Sequence, residues 1–195
     1  METAQLESAR RLLLPQVTLC AATSVNLMAT VRALEACLAQ IEFFACKLFT
    51  DAEVYPSHPA IEAVPIPRLG SSSAYSRFIL KQLVDYVQTP YCLIVQWDGY
   101  VLDVNRWRAE FLDYDYIGAR WPQFDDGHDV GNGGFSLRSR QLMEACRDLE
   151  FKDDTAEDIA IGRTNRTWLE GKGMRFAPPT VADVFAAERA GDLAV

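Results

Sequence analysis

The stretch PYCLIVQWDG, residues 90–99, runs apolar through Val95 and then stops abruptly on Asp98 and Gly99. A short apolar run of this kind reads as a buried strand, and such strands lie in sheets covered by helices on both faces. The chain around it has the matching rhythm. QVTLCAAT (16–23) is rich in β-formers and ends in the turn-prone TSVN. Leu27, Val31, Leu34, Leu38 and Ile41 then follow at alternating spacings of four and three, one stripe of a helix that Asn26 or Ser24 is placed to cap. FFACKLFTD (43–51) is a second buried strand, and IEAVPIP (61–67) a short one whose prolines confine its ends. SSAYSRFILKQLVDYVQ (72–88) repeats the helical stripe through Tyr75, Phe78, Ile79, Leu83, Tyr86 and Val87, with serines at its start. Alternating strands and helices imply an α/β fold with a mostly parallel, doubly wound sheet.

The second half is less regular. RWRAEFLDY is expected to be helical, YDYIGAR a strand and WPQFDDGHD a mobile acidic loop. The glycine stretch VGNGGFSLRSR (130–140) precedes a short strand. Helices are expected from about Arg140 to Leu149 and over AEDIAIGRTNRTWLEG, with a strand at MRFAP. There is no internal repeat and no linker that divides the chain, so the organisation read here is a lead segment (1–14) and one domain (15–190).

Composition narrows the function. A chain of 195 residues with 49% hydrophobic side chains supports a sizeable core. The net charge of -8 argues against nucleic-acid binding, which needs clustered Lys and Arg. No apolar run approaches the ~18–20 residues of a membrane span, and the N-terminus lacks a secretory apolar region. The cysteines at 20, 37, 46, 92 and 146 form no CxxC pair and read as buried thiols of a cytoplasmic protein.

In open α/β sheets ligands bind beyond the carboxyl ends of the strands. Three such ends carry polar groups: Thr23–Asn26, Asp51 and Gln96–Asp98. For Asp98 two readings stand side by side, an Asp-Gly turn and a ligand for a hard divalent cation. Six acids lie between Asp148 and Asp158 against one lysine, and most belong to a solvated face. Glu157 and Asp158 open an apolar helical run, where an acid either complements the helix N-terminus or acts as a base towards a hydroxyl. His128 sits among Asp125, Asp126 and Asp129, either as an ordinary loop histidine or as a metal or phosphate contact. No G-x-S-x-G, P-loop or G-x-G-x-x-G is present.

Taken together, LVDYVQTPYCLIVQWDGYVLD, FLDYDYIGARW, VGNGGFSLRSRQLMEAC, EDIAIGR and MRFAPPTVADVFAAE resemble the DUF5672 family, which is related to GT-A glycosyltransferases. The likeness spans roughly residues 15–188. It implies a GT-A-like fold and transfer of a sugar from a nucleotide-sugar donor to an acceptor hydroxyl, metal-assisted and inverting. By the same resemblance Thr23, Ser24 and Asn26 would hold the nucleotide, with Asp51 against its base or ribose. Asp98 would bind a divalent metal (Mn or Mg) where GT-A enzymes carry the acid of a DxD motif; Gln96 stands at that motif's first aspartate, which leaves either a weaker metal site or one completed by another group such as His128. Gln96, Asn132, Gly133, Gly134 and Phe135 would shape the sugar pocket. Asp158 would be the catalytic base, with Glu157 as the substitute candidate. The partners implied are a nucleotide sugar and a glycan or other hydroxyl acceptor. The alternative is a non-catalytic nucleotide-sugar- or glycan-binding module on the same fold, and Gln96 favours it. A nucleotidyltransferase ranks behind both, because TSVNLMAT has no cation before Arg32.

The glycines of VGNGGF pose a question of their own. Glycine inside a strand costs roughly 0.5–1 kcal/mol against alanine, so either a turn or a close backbone approach must offset it. The expectation is that Gly133 and Gly134 bring backbone amides to the donor sugar, that Phe135 and Leu137 anchor the segment in the core, and that Arg138 pairs with neighbouring acids, a contact to the diphosphate being the second reading.

Overall fold

A computed structural model describes residues 11–187 and 194–195. Its centre is a six-stranded sheet in the order β3-β2-β1-β4-β6-β5. The strands are β1 (Leu12–Ala22), β2 (Ile41–Thr50), β3 (Ile61–Pro65), β4 (Tyr91–Val95), β5 (Tyr116–Arg120) and β6 (Val130–Ser139). The pairings among β1, β2, β3 and β4 are parallel, whereas β6 runs antiparallel to both β4 and β5. The mostly parallel sheet expected from the strand–helix alternation is present, and the irregular second half supplies its antiparallel part.

Side chains alternate across the central strands, and each face has its own helices. Val17, Leu19 and Ala21 of β1, with Leu93 and Val95 of β4, pack under Val31, Leu34, Cys37 and Leu38 of α1 (Leu27–Gln40) and Val181 and Phe185 of α6 (Pro179–Phe185). Cys20, Cys92 and Ile94 point the other way, against Phe78 and Ile79 of α2 (Ser72–Lys81) and Leu83 and Val84 of the 3-10 turn that follows it. A completely buried leucine such as Leu34 contributes about 1.5–3 kcal/mol over leaving it exposed. This two-sided burial is why the strands read as apolar runs rather than alternating ones.

The differences from the sequence reading have local causes. β1 begins at Leu12, ahead of the expected start at 16, and its register against β2 shifts between Leu14 and Thr18. Pro15 lies inside that shift, where its missing N–H removes a ladder bond. Asn26 occupies the N-cap position of α1 with a left-handed φ of 49° but makes no side-chain cap, while Ser71 caps α2 by accepting from the Ala74 amide at 3.1 Å. RWRAEFLDY forms two 3-10 turns (Val104–Arg106 and Ala109–Asp113) instead of a helix. The helix expected to reach Leu149 is α3 (Arg140–Ala145). The single helix over 156–171 is three pieces: α4 (Glu157–Ile159), a π-turn over Ala160–Thr164, and α5 (Arg166–Gly171). Asn165 breaks it, its buried amide donating to the Lys152 and Ala160 carbonyls at 2.7 and 2.9 Å. MRFAP makes only one bridge, Tyr116 to Phe176. All five cysteines are free and buried, as expected.

Candidate active site

The carboxyl ends of β1 and β4 open onto a cavity of about 530 Å³. Its lining comes from Thr23, Ser24 and Val25 after β1, from Leu69 to Ser72 and Tyr75 at the start of α2, and from Gln96, Trp97, Asn132, Gly134, Glu157 and Asp158. No Lys, Arg or His belongs to the described lining.

The first of these segments is set by β1 as it leaves the sheet. The Thr23 amide donates to the Phe49 carbonyl at 2.9 Å, and the Thr23 hydroxyl closes a tight turn with Val25. Ser24 is not a helix cap: its hydroxyl accepts from the Leu69 amide at 2.8 Å and so ties the first two segments together.

At the end of β4 the chain turns tightly, the Gly99 amide donating to the Gln96 carbonyl at 3.1 Å. The turn reading of Asp-Gly is therefore correct, and it places Trp97 and Asp98 at the two corners, both exposed. Gly99 is needed there because a Cβ would come within 2.8 Å of the Gly134 carbonyl oxygen. The Gln96 side-chain amide donates to the Tyr75 hydroxyl at 3.1 Å, spanning the cavity from β4 to α2.

The glycine stretch is neither a loop nor a left-handed turn. It lies within β6, and none of Gly131, Gly133 and Gly134 has a positive φ. Against β4 the strand is regular, but against β5 the partner of Ile117 is Leu137 and that of Ala119 is Asn132. More residues of β6 than of β5 span that interval, so β6 arches outward between Asn132 and Leu137, a bulge that redirects side chains. The Gly134 amide donates to Asn132 Oδ1 at 3.0 Å and the Ser136 hydroxyl to the Gly133 carbonyl at 3.1 Å, holding the arch. Each glycine then meets a different neighbour. A Cβ on Gly131 would strike the Trp121 ring, which also lies 3.0 Å from the Cβ position of Gly162 in EDIAIG. A Cβ on Gly133 would collide with Glu157 Oε1 and approach Arg138 Nη2 to 2.9 Å. Only Gly134 faces the cavity, its Cβ position 3.5 Å from Gln96 and Asn132 side-chain oxygens.

Beneath Gly133 lies a buried ion pair. Arg138 Nη2 donates to Glu157 Oε2 at 2.8 Å, with the side chains 1% and 6% exposed. Arg138 Nε donates to the Ser136 hydroxyl, and the guanidinium stands 5.3 Å from the centre of the Tyr116 ring. Burial pushes the Glu157 carboxyl upward from its ordinary value, and Arg138 opposes that push. Arg138 thus pairs with a neighbouring acid, as the sequence reading favoured, and its charge is directed at Glu157. Asp158 is half-buried and lines the cavity.

The remaining candidates lie elsewhere. Asn26 and Asp51 are exposed and outside the lining. Phe135 belongs to the core side, its ring 5.2 Å from that of Phe185, which agrees with the anchoring role and not with a sugar contact. His128 lies 4.0 Å from Glu170 of α5, and its carbonyl accepts from Arg163 at 2.8 Å. Among the described residues no group of three or more His, Cys, Asp or Glu is placed to hold a metal ion. Asp98 is exposed at the β4 end and, unlike its neighbours Gln96 and Trp97, is not among the residues lining the cavity; its single carboxylate suits a hard cation only if the other ligands come from phosphate and water. The sequence reading passed over Tyr75, Trp97 and the Ser71–Ser72 pair as site residues. Tyr75 falls on the helical stripe, and only Trp97, inside the QWDG turn, carried a local signal.

The sheet order, with β6 antiparallel beside β4 and a cavity at the carboxyl ends of β1 and β4, is that of a GT-A-like glycosyltransferase fold. The chain belongs to the family described as "Protein of unknown function (DUF5672)", whose model matches residues 59–194. Among solved structures it is similar to the mannosyltransferase PcManGT from Pyrobaculum calidifontis, solved in complex with GDP-Man and Mn²⁺, at a TM-score of 0.57 and 17% identity over 95% of this chain and 60% of that one. It also matches the glycosyltransferase GlyE of Streptococcus pneumoniae TIGR4 at a TM-score of 0.49 and 13% identity, covering 83% of this chain and 45% of that one. The chain therefore spans 60% of the mannosyltransferase's length and 45% of GlyE's, less than two thirds of either. No curated protein matches it by sequence. Among the described residues no helix is long and apolar enough to cross a membrane.

Proposed function

We propose that this chain transfers a sugar from a nucleotide-sugar donor to an acceptor hydroxyl, with inversion at the anomeric carbon. The observation that carries the reading is Asp158, a carboxylate lining a cavity at the carboxyl ends of β1 and β4 of a GT-A-like sheet, in a lining it shares with the β1 turn Thr23–Val25. Thr23 and Ser24 would face the nucleotide, and Gln96, Asn132 and Gly134 the sugar. Asp158 takes the proton of the acceptor hydroxyl as its oxygen attacks the anomeric carbon. The bond to the donor diphosphate breaks on the opposite face, and the transferred sugar ends with inverted configuration. Glu157 is committed to Arg138, which leaves Asp158 as the base. Among the described residues the lining carries no Lys, Arg or His; a divalent ion held by Asp98, which stands next to Trp97 but outside the lining, would supply the positive charge that stabilises the leaving diphosphate. Five free, buried thiols suit the reducing cytoplasm where we place this reaction.

The test is a thermal-shift screen of UDP-, GDP-, CMP- and TDP-linked sugars with and without Mn²⁺, since ligand bound only by the folded state raises Tm. No shift across the panel would overturn the reading. One observation favours a second reading, a binding module without catalysis: Gln96 holds the position of an acid and its amide is engaged by Tyr75. Donor hydrolysis that disappears in Asp158→Ala and Asp98→Ala would eliminate that module.

A further inference from the structure

Trp97 is the one large aromatic side chain that both lines the cavity and stays half exposed, at 50%. The turn that carries it is held firmly, because Gln96 N donates to the Gly134 carbonyl at 3.0 Å and Gly99 closes back on Gln96. These bonds fix the backbone that presents Trp97 at the mouth of the cavity. The strand order puts Trp97 at the end of β4, between the β1 turn and the β6 arch, and the cavity it lines is also lined by Gln96, Asn132 and Asp158. A planar apolar face beside amide and carboxylate groups is a surface for a ring that is apolar on its faces and hydroxylated at its edge. The C–H groups of a pyranose pack on the indole face while its hydroxyls bond to the amides and the carboxylate.

We propose that Trp97 is the platform on which a pyranose ring is seated in this cavity. The proposal rests on the glycosyltransferase reading for its reaction but not for its binding. Two sources offer such a ring, the sugar of the donor and a saccharide acceptor. A nucleobase is a different occupant and belongs, if anywhere, to the β1 side.

The experiment records saturation-transfer NMR from the full chain to a panel of methyl pyranosides, short oligosaccharides and intact nucleotide sugars, with Mg²⁺ and with and without nucleoside diphosphate, in wild type, Trp97→Ala and Trp97→Phe. Nucleoside diphosphates with Mn²⁺ are tested separately by thermal shift. The expected result is transfer to pyranose C–H protons in wild type, retained in Trp97→Phe and reduced at least fivefold in Trp97→Ala. The nucleoside-diphosphate shift should be equal in all three. Transfer to free saccharides with nucleoside diphosphate bound identifies an acceptor seat, while Trp97-dependent transfer confined to intact nucleotide sugars identifies the donor seat. Absence of Trp97-dependent transfer to any sugar overturns the proposal, as does a Trp97→Ala protein that loses the nucleoside-diphosphate shift. Saccharide binding without any nucleotide response would sink the transferase reading and leave the platform standing.

Discussion

Arg138 and Glu157 meet at 2.8 Å beneath the arch of β6, 1% and 6% exposed, so the strand and the short helix that bears Asp158 are joined by a buried charge pair. Removing one partner of such a pair strands the other charge and costs about 3–5 kcal/mol, whereas replacing both with apolar groups can be nearly neutral. Arg138→Met should therefore unfold at much lower denaturant than wild type, and Arg138→Met with Glu157→Leu should recover a large part of the loss. Urea midpoints at constant slope measure this directly. Additive losses in the double variant would show that the pair is not the linkage described.

The two adjacent glycines should separate in behaviour. Gly133→Ala drives a methyl into the Glu157 carboxylate and Arg138, and overpacking of this kind costs about 1–3 kcal/mol. Gly134→Ala meets nothing closer than 3.5 Å, so its Tm should stay near wild type while its methyl narrows the cavity and weakens donor binding. Unfolding midpoints together with nucleotide-sugar titrations test both halves.

Asp158→Asn removes the base without changing its size. Sugar transfer should fall by about 10²–10⁴, the usual contribution of a positioned general base, while the Tm shift from nucleoside diphosphate with Mn²⁺ is preserved. Full activity in the variant would move the role to another group.

Acid should loosen the segment between β5 and β6. Arg163 grips Asp126 with two bonds, at 3.1 and 2.6 Å, and lies 3.6 Å over the Phe124 ring. The Arg163 guanidinium holds the Asp126 carboxyl at about 2, below its ordinary 3.8. A depressed carboxylate stabilises the fold above its unfolded value and loses that contribution as pH falls through the folded one. The wild-type advantage over Asp126→Asn should be constant from neutral pH to about 4 and vanish towards pH 2. Acid-unfolding curves followed by tryptophan fluorescence report it, and the exposure of the pair keeps the effect small.

By itself the sequence determined the α/β class, the parallel half of the sheet and the helical stripes of α1 and α2, because two-sided burial writes itself as apolar runs and helical spacing. It also marked Gln96 as a polar residue ending an apolar strand, Asp158 as an acid opening an apolar helical run, and the glycine stretch as a cost that needs an offset. Only the tertiary structure decided what each glycine serves: Trp121 at Gly131, the Arg138–Glu157 pair at Gly133 and the cavity at Gly134. It likewise decided that β6 runs antiparallel and arches, that the EDIAIG helix breaks at Asn165, and that Tyr75 and Trp97 face the cavity. These outcomes depend on which distant segments come into contact. A chain records the period of its own burial, and not the identity of the neighbour that a missing Cβ makes room for.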